Sequence, residues 1–294
     1  MATANAVSAD LIAVLVAVTG GCPRVLTVHD GKALPSGPFE PFHRSLQASL
    51  RAWVEQQTHH PLGYVEQLYT FADGERISLA GHRAISISYL GLTRQGSDGA
   101  FGSAGWRDWY LYFPWEDHRA GPPEMIAHLL APRLGGWADA SGDAATQHRR
   151  RQRVAINFGL DGRAWNDELV LQRYELLYEA GLVAAGQTME ADHRRILATA
   201  IARLRAKIRY RPVVFELMPS DFTLLQLQRC VEAIAGRLIH KQNFRRLVEQ
   251  QALVEETGEI AADTGGRPAK LFRFRRQVLD ERAVAGTKLP VARA

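Results

Sequence analysis

The chain has 294 residues, of which 46% are hydrophobic and 23% charged, and a formal net charge of +5. This composition excludes a disordered or fibrous protein and leaves room for two domains, each burying its own core. The cysteines, Cys22 and Cys230, lie far apart with no CxxC, so neither a disulfide framework nor a zinc site is suggested and a reducing cytoplasm is the natural home.

The first apolar run, residues 11–18, has no basic segment before it and is too short to span a bilayer, so no membrane association is expected. Its valines favour a buried strand. A second strand is expected near 25–29, then a helix over 45–57, capped by Ser45 and burying Leu46, Leu50, Trp53 and Val54. Strands near 67–71 and 84–92 complete an α/β pattern. Residues 95–105, rich in Gly and Ser, read as a loop. The aromatic run 109–115 reads as a buried strand stopped by Pro114. The basic run His148, Arg149, Arg150 and Arg151 has the charge of a nucleic-acid patch, but a solvated loop or helix end is the simpler account.

A helix is expected from Asn166 to Gly181, with Val170, Tyr174, Leu177 and Tyr178 on one face. Asp192 then caps a long helix whose stripe of Ile196, Leu197, Ala200, Ile201, Leu204 and Ile208 suits docking on the N-terminal domain or on a second subunit. Pro212 breaks it. These signals divide the chain into an N-terminal domain with a long insertion (1–190), a linker helix (191–211), a C-terminal domain (212–280) and a tail (281–294).

The C-terminal domain carries the most specific pattern. Thr223 and Gln226 form a capping-box pair, Leu224, Leu227, Val231 and Ile234 give the following helix its buried stripe, and Gly236 closes it. A second helix over about 240–252 groups Phe244, Leu247, Val248 and Gln251 in one arc. Gln242, Arg246 and Glu249 then face away, flanked by Arg245 and Asn243. Arg, Asn and Gln can pair with base edges in a major groove, whereas Lys241 suits a phosphate. After a polar run from 255 to 266, Phe272 and Phe274 alternate with Lys270, Arg273 and Arg275, and Gly265 and Gly266 suit a hairpin turn. Arg267 and Lys270 follow that turn. Between 237 and 276 basic residues outnumber acidic ones by four, nearly the charge of the whole chain. Helix, turn, basic helix and hairpin in this order are what a winged helix-turn-helix requires to enter DNA.

The segment from Leu34 to Gly37, followed by Arg51, Trp53 and Glu55, resembles the loop–helix motif of Nudix hydrolases. Aligned from Gly37, that motif places His43, Ala52 and Gln56 where the family carries glutamates and Thr58 where it ends in glycine. Hydrolysis of a pyrophosphate needs a hard cation held by carboxylates, and two of the three helix positions here cannot supply one. Arg51 and Glu55, four apart, read more simply as a surface ion pair. The residues Phe222 to Leu224, Leu227-Gln228, Asn243 to Arg246 and Gly266 to Phe274, with Asp192-His193 before the linker helix, resemble the Nudix-related transcriptional regulators of NAD metabolism. Within that family, Pro114 to Asp117 and the long insertion look most like the alphaproteobacterial NAD-biosynthesis repressors, NadQ.

The resemblance implies a Nudix-like sensor domain of mixed sheet and helices joined to a winged helix-turn-helix. It implies a cytoplasmic homodimer, without enzymatic activity or a cofactor, that binds double-stranded DNA at a palindromic operator of NAD-synthesis genes and responds to ADP-ribose, NAD or ATP. The residues placed at DNA are Lys241, Gln242, Asn243, Arg245, Arg246, Arg267 and Lys270, and those at the effector are Arg51 and Glu55; no metal ligands or catalytic residues are assigned. Two alternatives remain open from the residues alone. One is an active hydrolase of ADP-ribose-like substrates using Glu55 with Glu116 or Asp117, and the other is a winged helix serving protein contacts.

Overall fold

A long central strand organises the N-terminal half. The computed structural model describes residues 7–40, 44–60, 62–72, 83–95, 102–261 and 268–277. Strand β1 (Val7–Thr19) pairs antiparallel with β2 (Cys22–Thr27) and β3 (Ser36–Pro38), and parallel with β5 (Arg83–Leu92). With β4 (Tyr64–Phe71) and β6 (Gly105–Asp108) the sheet order is β4-β5-β1-β2-β6, a mixed sheet. Residues 11–17 are all buried, and their alternation sorts them between two faces. Leu11, Ala13 and Leu15 pack under helix α1 (Leu46–Thr58) through Leu50 and Val54. Ile12, Val14 and Val16 join the larger core on the other face.

That larger core runs through the insertion and into the C-terminal domain. The insertion supplies a π-helical turn, Ile126–Leu130, continuing into α2 (Ala131–Asp139), then α3 (Ala144–Phe158) and α4 (Val170–Glu179). Linker helix α5 (His193–Tyr210) buries Ile196, Leu197, Ala200, Ile201 and Leu204 against it. The C-terminal unit follows: β7 (Asp221–Phe222), α6 (Leu224–Ala235), α7 (Lys241–Gln250), β8 (Val254–Ala261) and β9 (Ala269–Phe274), with sheet order β7-β9-β8. Leu227 and Ile234 of α6 share the core with β1 and α5, so the N-terminal domain and the C-terminal unit are built on one continuous apolar interior.

The local signals at the helix ends hold. Ser45 caps α1, the Thr223–Gln226 capping box is complete, and Gly236 closes α6 in the left-handed region at φ 70°. Several expectations are corrected. The aromatic run 109–115 is not a strand: it forms two tight turns, Trp109–Leu111 and Pro114–Glu116, because the Asp108 side chain accepts from the Tyr110 N–H and rolls the chain over at the end of β6. Its rings are buried all the same. Helix α4 begins at Val170, since the Asn166 side chain accepts from Glu168 N–H and closes a local turn first. Tyr178 is 68% exposed. Asp192 makes no side-chain cap on α5. Residues 255–261 of the run read as polar belong to strand β8. Its register against β9 is interrupted between Glu256 and Ile260.

Candidate nucleic-acid interface and sensor site

The placement of α7 follows from two side chains of α6. Gln228 and Glu232, one turn apart, are both buried; Gln228 donates to the Ile239 carbonyl and to Glu232, each at 2.9 Å. Glu232 in turn accepts the Ile239 N–H at 2.8 Å. This clamp satisfies the backbone at the turn between the helices and fixes the angle at which α7 leaves it. Sequence reading missed it, although a glutamine and a glutamate at i, i+4 on an apolar helix were the available signal.

Phe244 and Val248 anchor α7 in the core. The opposite face presents Lys241, Gln242, Asn243, Arg245, Arg246 and Glu249 to solvent. Leu247, expected in the buried arc, is instead 53% exposed, and Gln251 is exposed too, because contact is made along the 244/248 ridge alone. The sheet closes the unit. Phe274 stacks on Phe215 with ring centroids 4.2 Å apart, and Asp221 pairs with Arg273 at 2.9 Å across β7 and β9. Lys270 is exposed and paired with Glu256 on β8 at 2.9 Å. Arg267, Gly265 and Gly266 lie outside the described residues. Basic run 148–151 lies on α3, where Arg150 stacks on Trp137 and Arg151 pairs with Asp139. It is a helix face with local partners.

In the N-terminal domain the loop before α1 is packed tightly onto that helix. Gly37 lies against the ring of Trp53, where a Cβ would overlap the indole. Trp53 Nε1 donates to the Pro38 carbonyl at 2.9 Å, and the Gln57 amide bonds both the N–H and the carbonyl of Ser36. The outer face of α1 presents Ala52, Glu55 and Gln56. Arg51 does not pair with Glu55; its guanidinium donates to the carbonyls of Leu62 and Gly63, tying the helix to the approach of β4. His43 lies outside the described residues. Among the described residues no group of three or more His, Cys, Asp or Glu side chains could hold a metal ion.

The acids named for the hydrolase alternative are committed elsewhere. Glu116 is fully buried between two guanidiniums, with Arg173 Nε at 2.5 Å and Arg205 Nη1 at 2.6 Å. Burial pushes its carboxyl upward, but Arg173 and Arg205 outweigh this and hold it below its ordinary value. Asp117 forms a bidentate pair with Arg119, which overcomes desolvation and lowers its carboxyl as well. A third buried cation, Arg194, has carbonyl partners at Tyr112 and Val183, and Phe113, Trp115 and Tyr174 surround it. Desolvation lowers its pKa to about 10.

A mixed Nudix-like sheet with its loop and helix is joined through α5 to a winged helix-turn-helix, a two-domain architecture. The winged helix is NrtR-like: residues 214–274 match the family described as the NrtR DNA-binding winged helix domain. A stretch of 89 residues is 43% identical to the ADPR responsive transcriptional repressor NtrR of Acinetobacter baylyi, covering 30% of this chain and 35% of that protein. The match thus spans about a third of the curated relative's length. The structure of Shewanella oneidensis NrtR complexed with a 27mer DNA aligns with a TM-score of 0.57 at 20% identity, covering 92% of this chain and 95% of that one. A MutT/nudix family protein from Enterococcus faecalis aligns at 0.55 and 16% identity, over 94% and 89%. At such identities the likeness establishes the fold. Among the described residues no helix is long and apolar enough to cross a membrane.

Proposed function

We propose that the protein is a DNA-binding transcriptional repressor whose Nudix-like domain senses a nucleotide without hydrolysing it. The observation that carries this reading is the exposed basic face of α7, set on a domain of the NrtR winged-helix type. Arg245, Arg246, Asn243 and Gln242 are the base readers and Lys241, Lys270 and Arg267 the phosphate contacts. Residues 1–190 form the sensor, 191–211 the linker helix, 212–280 the DNA-binding domain and 281–294 a tail.

The effector is ADP-ribose, by analogy with the repressor from Acinetobacter baylyi, or a related nucleotide such as NAD or ATP. The regulated genes are those of NAD synthesis, a reading supported by the resemblance of Pro114 to Asp117 and the long insertion to the NadQ subgroup. It acts as a cytoplasmic homodimer on a palindromic operator, since a two-fold protein matches a two-fold site. The missing carboxylates at Ala52 and Gln56, and the burial of Glu116, support sensing over turnover. Arg51, held by backbone carbonyls, and Glu55 line the helix face toward the effector.

Titration of labelled duplexes from the region upstream of NAD-synthesis genes, with and without each nucleotide, tests the reading. Tight, salt-dependent binding to one palindromic duplex, altered by one nucleotide, is expected. Equal affinity for all duplexes would sink it.

A further inference from the structure

The last turn of α6 does not end in solvent. It is gripped by the insertion and by α5. Tyr110 donates its hydroxyl to the Ala233 carbonyl at 2.8 Å, and Arg205 Nε donates to the Ile234 carbonyl at 2.9 Å. The His118 N–H donates to the Gly236 carbonyl at 2.7 Å. Gly236 itself lies so close to the Glu116 carbonyl that no side chain would fit there. One residue further on, Arg237 reaches Asp167 at 3.1 Å, and Asp167 also holds Arg209 at the end of α5. Three carbonyls at this helix end, those of Ala233, Ile234 and Gly236, and the side chain of the adjoining Arg237 are thus bound by groups of the insertion and of α5.

The same network continues toward the sheet. Arg205 Nη1 bonds Glu116 and the Asp167 carbonyl, and Glu116 is shared with Arg173 of α4. At the other end of α5, the Leu34 N–H donates to His193 Nδ1 at 2.8 Å, and Ser36, two residues on, is bonded to Gln57 of α1. Helix α5 therefore has its start fixed to the Nudix-like loop and its end fixed beneath the helix-turn-helix. Helix-end carbonyls in ordinary proteins are met by local caps or water; here they are met by Tyr110, Arg205 and the His118 N–H.

We propose that this grip, formed by Tyr110, Glu116, His118, Asp167 and Arg205 on the end of α6, is the joint through which the sensor sets the position of the recognition helix α7. The inference rests on the regulatory reading above and adds the residues that link sensor and reader. Glu116 and Arg205 are positioning residues: neither faces the DNA surface nor the outer face of α1. A shift of α5 at His193 would be passed to the Ile234 carbonyl by the rigid length of the helix, and α7 follows α6 through the Gln228–Glu232 clamp.

The test uses the full chain with Tyr110→Phe combined with Asp167→Asn, which removes the Tyr110 hydroxyl from the Ala233 carbonyl and the Asp167 charge from Arg237 and Arg209 while leaving Glu116 with Arg173 and Arg205, and Glu116→Gln as the stronger variant. Amide hydrogen exchange should rise about tenfold in α6 and α7 while β1 and β5 keep their protection; a uniform rise is the mark of a merely structural role. The factor by which ADP-ribose changes operator affinity, of order 5–150-fold in typical couplings, should collapse to about one, with calorimetric ADP-ribose affinity retained. Unchanged exchange in α6 and α7, a uniform rise, or an unchanged factor overturns the proposal. If the wild-type chain binds no duplex or ignores ADP-ribose, the regulatory reading fails, and the exchange measurement still decides whether the grip holds the helix-turn-helix.

Discussion

Gly236 lies directly against the carbonyl oxygen of Glu116, and its backbone occupies the left-handed region at φ 70°. Gly181 has the same φ with nothing near its missing Cβ. The pair separates two costs of adding a methyl group. Gly181→Ala should cost about 1 kcal/mol, the penalty of a left-handed alanine. Gly236→Ala should cost more, since a backbone oxygen at a fixed helix end has no room to yield. Denaturant unfolding of both variants measures the difference, and equal losses would mean that the contact relaxes freely.

Acid sensitivity should be traceable to Glu116. Its folded pKa is depressed below the ordinary 4.5 because Arg173 and Arg205 outweigh the cost of burial. The unfolded chain therefore binds a proton at higher pH than the native one, so this stability is present above about pH 4.5 and is lost as pH falls toward the folded value. Glu116→Gln leaves two buried guanidiniums without their carboxylate and should cost roughly 3–5 kcal/mol at pH 7. The gap between wild type and variant should narrow below pH 4.5. A gap that stayed constant to pH 3 would show that the carboxylate charge contributes nothing. His118, depressed by burial although Glu116 opposes the shift, adds a separate loss that begins as pH falls through its ordinary 6.5 and is complete below its folded value.

On α7, Arg245→Ala and Arg246→Ala should weaken operator binding in distinguishable ways. An arginine paired with a guanine edge should cost about 1–3 kcal/mol and relax preference at one base pair, whereas a phosphate contact should weaken all duplexes alike. Both residues are exposed, so folding should be unaffected. Binding titrations against single-base operator variants read the outcome. Full affinity in the double variant would remove α7 as the reader.

These elements differ in how readable they were. The caps at Ser45, Thr223 and Gly236 were legible because each needs only a few neighbouring residues. The strands β1, β2, β4 and β5 were legible from apolar runs. The turns at 109–116 were not, since aromatic residues favour strands locally and only Asp108 signals the turn. Arg173, Arg194 and Arg205 were invisible as buried residues. Each sits on a helix where an arginine normally faces water, and its burial depends on Glu116 or on carbonyls distant in sequence. Arg51 shows the same limit: its spacing to Glu55 suggests a pair, but two carbonyls beyond the helix end take its guanidinium.

In the hairpin, Lys270 is held by Glu256 in the free protein. Lys270→Ala should reduce the log–log salt slope of DNA binding by about one if the lysine leaves that pair for a phosphate. Glu256→Gln should then raise affinity modestly, because a competing exposed carboxylate is removed; exposed pairs of this kind contribute only about 0–1 kcal/mol. A slope unchanged in Lys270→Ala, with affinity unchanged in Glu256→Gln, would place this part of the hairpin away from the duplex.

The sensor domain should bind a nucleotide and leave it intact. The Nudix-like loop is held to α1 by the Gly37–Trp53 contact and the Ser36–Gln57 bonds, and the outer face of α1 offers Glu55 with Ala52 and Gln56 beside it. One carboxylate cannot supply the several oxygen ligands by which a divalent cation grips phosphate oxygens. Incubation of the full chain with ADP-ribose and Mg²⁺ or Mn²⁺ should release no AMP above a protein-free control, while calorimetry detects binding. Replacing both neighbours, Ala52→Glu with Gln56→Glu, would put three carboxylates on one helix face and should raise metal affinity, since the loop and helix that would orient them are already in place. Turnover by the unaltered chain at about 1 s⁻¹ or faster, within the ordinary enzymatic range, would make the domain an enzyme and α1 only part of its metal site.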